Sequence, residues 1–280
     1  MSIKITTDSA CDLTDLQLER YGIDILPLHI RLGNQSLLDR IEVNSADIFQ
    51  YVDDGLGFPK TASVNVAEFY DVFHRLSQLH EAVIHVAISS PMSSCYQNAL
   101  IAAEEFSNVY VIDSGSLSAG QGLICVAGME AYDAGMPADQ VAGYMQKFAE
   151  KVETSFILGR LDYMVKGGRC TSIAVLGANM LHLKPCIESS QGNLFPGKKY
   201  RGSFSRCLCD YARDRICGRQ DLDLRHCYVV HPDAPREALD AVLELIPSLA
   251  QFEDITEIRS GCTVSSHCGP ETVGIMFARK

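Results

Sequence analysis

The sequence is poor in the patterns that mark metal proteins, nucleotide enzymes and membrane proteins. Its eleven cysteines include no Cys-x-x-Cys, and its eight histidines offer neither His-x-x-x-His nor His-Glu-x-x-His, so no metal site is expected. The closest cysteine pair, Cys207-Leu208-Cys209, is expected to project in different directions from a helix. An odd number of cysteines scattered among apolar neighbours points to thiols rather than to a disulfide framework. No Gly-x-x-x-x-Gly-Lys followed by Ser or Thr, and no Gly-x-Gly-x-x-Gly, opens any helix, which argues against a phosphate cradle and against phosphoryl transfer by this chain alone. No window approaches the roughly 20 apolar residues of a membrane span. The first strand starts at once, without a basic segment and apolar run before it, so the expected location is cytoplasmic, with no stable membrane insertion. A net charge of −11 and a pI near 5.1 exclude broad electrostatic binding to nucleic acid or to an anionic membrane surface.

What is present is an ordinary globular mixture, 47% apolar and 21% charged over 280 residues, enough for one large or two ordinary α/β domains. Strands are expected at 3–7, 23–31, 82–88 and 109–113, and helices at 15–21, 44–53, 94–106 and 119–134. Another helix shows Val66, Phe69, Val72, Phe73 and Leu76 on one face at spacings of three and four. Strand, turn and helix in repetition imply a parallel sheet covered on both faces. After the helix expected over 138–154 the pattern changes. A short strand at 155–158, helices at 161–166 and 171–181, and strands at 184–190 and 193–200 around Gln191-Gly192 follow, the last pair a hairpin. Helices at 202–219 and 235–249 and strands at 226–231, 253–260, 263–266 and 273–278 complete the chain. The expected fold is α/β in two domains. Residues 1–152 form an N-terminal parallel-sheet α/β/α domain, and residues 153–280 a C-terminal α/β domain with a largely antiparallel sheet. The cleft between them is the expected ligand site.

Three turns at strand ends are rich in hydroxyls. In the sharpest, Ile88-Ser89-Ser90-Pro91-Met92-Ser93-Ser94-Cys95, four serines stand where a strand gives way to a helix, and Ser93 takes the N-cap position. Unpaired N–H groups and the positive end of the macrodipole make such a helix start a seat for a carboxylate or phosphate; simple capping is the plainer reading. Thr61 lies in a second hydroxyl-rich helix start, and Ser114 to Gly122 is a third such turn. Asp8, at the carboxyl end of the first strand, stands at the edge where open α/β sheets place ligands, or braces the turn.

Thr6-Thr7-Asp8-Ser9, Pro59-Lys60-Thr61-Ala62-Ser63, Ile88 through Gln97, Val111-Ile112-Asp113-Ser114, Leu161 through Arg169, Arg201-Gly202 and Ser266-His267-Cys268-Gly269-Pro270, taken in order, resemble the DegV family over nearly the whole chain. The resemblance implies two α/β domains with a long-chain fatty acid such as palmitate, stearate or oleate buried between them, and no cofactor. It also implies a carrier rather than an enzyme. The resemblance further implies a partner fatty acid kinase subunit that phosphorylates the presented carboxylate, the acyl phosphate then serving phospholipid synthesis. Position by position, Thr61 and Ser93 match the hydroxyls that hold the carboxylate, and His267 matches a histidine near that head group. Ser94 stands where the family usually has Gly, leaving its N–H as donor. Ala62-Ser63-Val64 replaces Ser-Gln-Pro, and Cys95 replaces a common Thr. Arg169 and Arg201 match arginines expected near the head group or on the surface offered to the kinase.

The chemistry agrees with that expectation. Neutral hydroxyl and amide donors orient a carboxylate while leaving it open to attack on phosphate, and burial of each methylene contributes about 0.8 kcal/mol. The small residues at 99–103, 119–134 and 173–178 line a tunnel or serve close helix packing. The alternative is a serine hydrolase with Ser93 as nucleophile, His267 as base and Asp113 as acid. It lacks the Gly-x-Ser-x-Gly elbow, because Pro91 and Cys95 stand where its glycines would be.

Overall fold

The computed structural model describes residues 2–170, 172 and 183–280. The helix expected over 171–181 lies, apart from Ser172, outside them.

The chain opens with β1 (Ile3–Asp8), a mostly buried strand, and α1 (Asp15–Tyr21), whose start is fixed by a Thr14/Gln17 capping box and whose end is fixed by Gly22 at φ +62°. β2 (Asp24–Leu26) and β3 (His29–Leu32) replace the single strand expected over 23–31. Pro27 lies between them, and a residue without an N–H cannot continue the ladder. β4 (Gln35–Leu38) turns back on β3 as a hairpin, and α2 (Ser45–Asp53) follows. The stretch read as a helix start is instead β5 (Lys60–Ala62), which pairs Thr61 with Ile30 of β3. Asn65 then caps α3 (Val66–Ser77), which buries Phe69, Phe73 and Leu76. β6 (Ala82–Ala87), α4 (Cys95–Ala103), β7 (Val109–Asp113), α5 (Ala119–Asp133) and α6 (Ala138–Ala149) complete the first half.

α6 stops before the expected Thr154, because residues from Val152 onward pair across to the last strand as β8 (Val152–Leu158). α7 (Asp162–Gly167), the hairpin β9 (Leu183–Ser190) and β10 (Asn193–Arg201), α8 (Phe204–Ile216), β11 (Leu222–His231), α9 (Arg236–Leu249) and β12 (Asp254–Arg259) follow. The strand expected at 263–266 is a helix, α10 (Cys262–Cys268), and β13 (Thr272–Arg279) ends the chain.

Among the described residues the strands form a parallel sheet of order β2-β1-β6-β7, a sheet of order β10-β9-β8-β13-β11-β12 that is antiparallel except for β11 beside β12, and the small β4-β3-β5 sheet. This is the mixed α/β architecture that the sequence implied. α5 lies between the two large sheets. One apolar cluster joins Ile3, Ile5 and Ile84 of the first to Val230, Ile258 and Met276 of the second through Leu123, Ile124 and Val126. That placement explains why every residue from Ala119 to Gly128 is buried and why so many are small. A Cβ on Gly120 would stand 2.1 Å from Thr154 Oγ1, and one on Gly122 would stand 2.7 Å from Leu13.

Candidate functional site

A cavity of about 660 Å³ lies where β5, the turn after β6, α7 and α10 meet, within the 300–1,000 Å³ range usual for small-molecule sites. Leu28, Ile88, Met92, Leu117, Met164, Leu194 and Val264 supply most of its apolar wall. Thr61, Ser93, Ser94, Arg169 and His267, the residues singled out from the sequence, all line it. Arg201 does not; it is exposed at the end of β10.

The turn after β6 is held from three sides. The buried Asp8 carboxylate accepts the Ile88 N–H at 2.7 Å and the Ala10 N–H at 3.2 Å, which makes it a brace of the turn. Burial pushes its pKa up to about 6 against the pull of those hydrogen bonds. Ser89 donates through its hydroxyl to the Gly192 carbonyl at 2.7 Å, tying the turn to the tip of the β9/β10 hairpin. A Cβ on Gly192 would stand 2.5 Å from that hydroxyl oxygen, so the approach requires glycine. Asp113 accepts the Ser90 N–H at 3.1 Å and the Gly115 N–H at 3.0 Å.

Helix α4 begins one residue later than the sequence suggested. Ser94, not Ser93, is the N-cap, and it makes no side-chain capping bond. The Ser93 hydroxyl oxygen instead accepts the Cys95 N–H at 3.2 Å, while its own hydrogen remains to donate. Among the described residues the Ser94 N–H meets no protein acceptor. A free amide beside a hydroxyl at the start of a nine-residue helix suits an anion.

The opposite wall is α10, whose start is built by carboxylates from the first forty residues. Asp39 accepts the Cys262 N–H at 2.8 Å and the Thr263 N–H at 3.1 Å, and Asp12 accepts the Gly261 N–H at 2.7 Å. Negative charge at a helix N-terminus stabilises the helix, and here it overrides the β-propensity of Thr263 and Val264. Asp12 also accepts the hydroxyl of Ser118 at 2.5 Å, and burial pushes the Asp12 pKa up to about 7. Ser118 carries φ +56° and ψ −148°, a conformation that costs a non-glycine residue about 1–3 kcal/mol. The bond to Asp12 holds it there and fixes the neighbouring Leu117 in the cavity wall.

In its last turn α10 presents His267, whose Nε2 lies 2.9 Å from Thr61 Oγ1. Burial and the nearby charge of Arg169 lower the imidazole pKa to about 4, so the ring is neutral at pH 7. Its Nδ1 is buried without a partner among the described residues, against Gly167, where a Cβ would stand 2.3 Å away. With the ring proton on Nε2, His267 donates to Thr61 Oγ1 and leaves the threonine hydrogen for an anion; the other tautomer turns that hydrogen onto the ring. Arg169 donates to the Gly167 carbonyl at 2.9 Å and reaches the Met92 carbonyl at 3.5 Å. Neither Arg169 nor Arg201 has a carboxylate ion-pair partner among the described residues.

The hydrolase triad is not assembled. His267 bonds Thr61 rather than Ser93, and Asp113 serves two backbone amides of its own turn. No group of three or more His, Cys, Asp or Glu side chains is placed to hold a metal among the described residues. The residues that sequence reasoning missed are Asp12, Asp39, Gly167 and Ser118. All act through partners far along the chain; the paired glycines at 167–168 and the hydroxyl-rich turn around Ser118 were the local traces.

The DegV family model matches residues 2–280. A DegV domain-containing protein of Clostridium acetobutylicum is 27% identical, with 99% of each chain covered. A fatty acid-binding protein of Thermotoga maritima is also 27% identical, over 98% of this chain and 96% of its own. Among solved structures, a DegV family protein from Thermus thermophilus described for its fatty acid binding superposes with a TM-score of 0.90 at 25% identity, with the whole of both chains covered. A match over all but the first residue, joined to full-length relatives and the same fold, means that this chain belongs to the DegV family.

Proposed function

We propose that the cavity holds one long-chain fatty acid between an N-terminal unit, residues 1–152, and a C-terminal unit, residues 153–280, and that the protein presents the acid's carboxylate to a partner kinase. The observation that carries the reading is the convergence of Thr61, Ser93, Ser94 and His267 on a cavity that also carries an apolar wall of Leu28, Ile88, Met92, Leu117, Met164, Leu194 and Val264. Fatty acid binding in full-length relatives supports it. The donors are neutral, so they orient a carboxylate without locking both oxygens as a bidentate arginine would. Arg169, exposed and without a carboxylate partner among the described residues, adds positive charge beside the cavity. The acyl chain supplies most of the affinity: burying about fourteen methylenes at about 0.8 kcal/mol each contributes on the order of 10 kcal/mol. On this reading the chain is a carrier, acyl phosphate for phospholipid synthesis forms on a separate cytoplasmic subunit, and the exposed Arg201 belongs to the surface offered to it.

Native mass spectrometry of the purified protein, with extraction and identification of bound lipid, tests the proposal. One saturated or monounsaturated acid of about sixteen to eighteen carbons per chain is the expected result. A folded, lipid-free protein that takes up no added acid overturns it.

A further inference from the structure

We infer that the cavity continues past Leu117, Val264 and Cys268 into a dent at Gly274 in the second sheet, and that this dent seats the methyl end of the acyl chain and limits its length. The inference rests on the fatty-acid reading above. Behind the three named residues, which border both spaces, lies a void of about 20 Å³. Its floor is the sheet. Thr272, Gly274 and Met276 alternate along β13 and so point to one face, and Gly274 is paired on one side with Phe156 of β8 and on the other with Val230 of β11. A row of Phe, Gly, Val across three adjacent strands leaves a gap at its centre. Glycine inside a central strand weakens the sheet and marks a place where something else approaches.

The chemistry of the void selects its occupant. At about 20 Å³ it exceeds the roughly 10–15 Å³ that a water needs, but a buried water also needs two to four polar partners. The hydroxyls that border it are engaged: Ser118 with Asp12, Ser260 with Ser265, and Thr272 with the Cys268 carbonyl. Among the described residues the other side chains of the wall are apolar, so a terminal methyl fits where water does not. Met276, unbranched and adaptable, is the side of the void that yields to a longer chain.

Titration of delipidated protein with saturated acids of fourteen to twenty carbons tests this. The wild-type profile defines the preferred length. Gly274→Ala places a Cβ 3.1 Å from the Ser155 carbonyl and 3.2 Å from Met276 Cε, filling the dent. Val264→Phe closes the way into it, and Val264→Ala widens that way. The first two variants should shift the preference to shorter acids and the third to longer ones. The change should be about fourfold in relative affinity per carbon, at about 0.8 kcal/mol per methylene. The two Val264 variants keep the test decisive if Gly274→Ala fails to fold. A wild type that binds acids while the folded variants keep its length profile overturns the dent alone. A wild type that binds no acid of any length overturns the fatty-acid reading and the dent with it.

Discussion

Asp39 holds Thr263 twice: one of its carboxylate oxygens accepts both the Thr263 N–H at 3.1 Å and the Thr263 hydroxyl at 2.6 Å. The same oxygen accepts the Ser9 hydroxyl at 2.9 Å. Replacing Asp39 with Ala strands these donors in the interior, each at about 1–3 kcal/mol, and frees the helix that carries His267. Asp39→Ala should lose about 3–5 kcal/mol in urea unfolding and should retain less fatty acid. Unchanged stability would show that α10 does not depend on this cap.

Thr61→Ala with Ser93→Ala removes two hydroxyl donors from the cavity and nothing from the apolar core. The double variant should remain folded, at a cost of about 1–3 kcal/mol from the lost bonds to His267 and the Cys95 N–H, and bind fatty acid roughly a hundredfold or more weakly, as expected for two hydrogen bonds to a charged group. Isothermal titration of delipidated protein checks it, and undiminished affinity would place the carboxylate elsewhere.

Gly167→Ala sets a methyl group 2.3 Å from His267 Nδ1 and must displace the ring. The Thr61–His267 bond then breaks, and affinity for fatty acid should fall by about tenfold, the worth of one hydrogen bond to an ion. Competition binding reads the change, while a Tm near that of wild type confirms that the helix is intact. Equal affinity would mean that His267 does not position Thr61.

Acid should destabilise the ligand-free protein through its buried histidines. His85 is fully buried, with Phe69 and Phe73 against its ring, and burial lowers its pKa from 6.5 to about 3. The unfolded chain therefore takes up a proton that the folded chain refuses. This contribution to stability is present above about pH 6.5 and is lost as pH falls toward 3. Between pH 8 and pH 5 the stability of His85→Phe relative to wild type should rise by about 2 kcal/mol, from roughly 1.4 kcal/mol per pH unit below 6.5. Asp8 and Asp12, raised by burial, gain stability on acidification, but they do so in both proteins and cancel from the comparison. A pH-independent difference would mean that His85 is protonated in the fold.

Arg201→Ala should leave fatty acid affinity unchanged, because the side chain is exposed and outside the cavity lining. Acyl phosphate formation with a fatty acid kinase subunit should fall severalfold. Equal losses in both assays would assign Arg201 to the head group.

The sequence discloses this fold where the determinants are local. The three-and-four spacing from Val66 to Leu76 and the Asn65/Glu68 capping box fix α3, and Gln191-Gly192 fixes the hairpin tip. It misleads where partners come from afar. Thr263-Val264 reads as strand because the cap of α10 sits more than two hundred residues away in Asp39. The 59–65 stretch reads as a helix start because Thr61 finds its place only by pairing with Ile30. Ser93 and Thr61 were legible in hydroxyl-rich turns, and Ser94, Arg169 and His267 through the resemblance to the DegV family; all five line one cavity. Gly167 was visible only as a glycine, since its significance is the imidazole that it admits.

The trans cap on α10 also orders events during synthesis. Asp12 and Asp39 leave the ribosome early, whereas the amides that satisfy them, at 261–263, emerge some 220 residues later, about 11–44 s at 5–20 residues per second. Until then Asp12 and Asp39 have the hydroxyls of Ser118 and Ser9 as near partners but lack the backbone amides that complete their hydrogen bonding, so the first half of the chain closes over them only part-satisfied. The hydroxyl, the imidazole and the wall between them thus come together in a single late step, and a nascent chain has no finished pocket in which to trap a lipid prematurely.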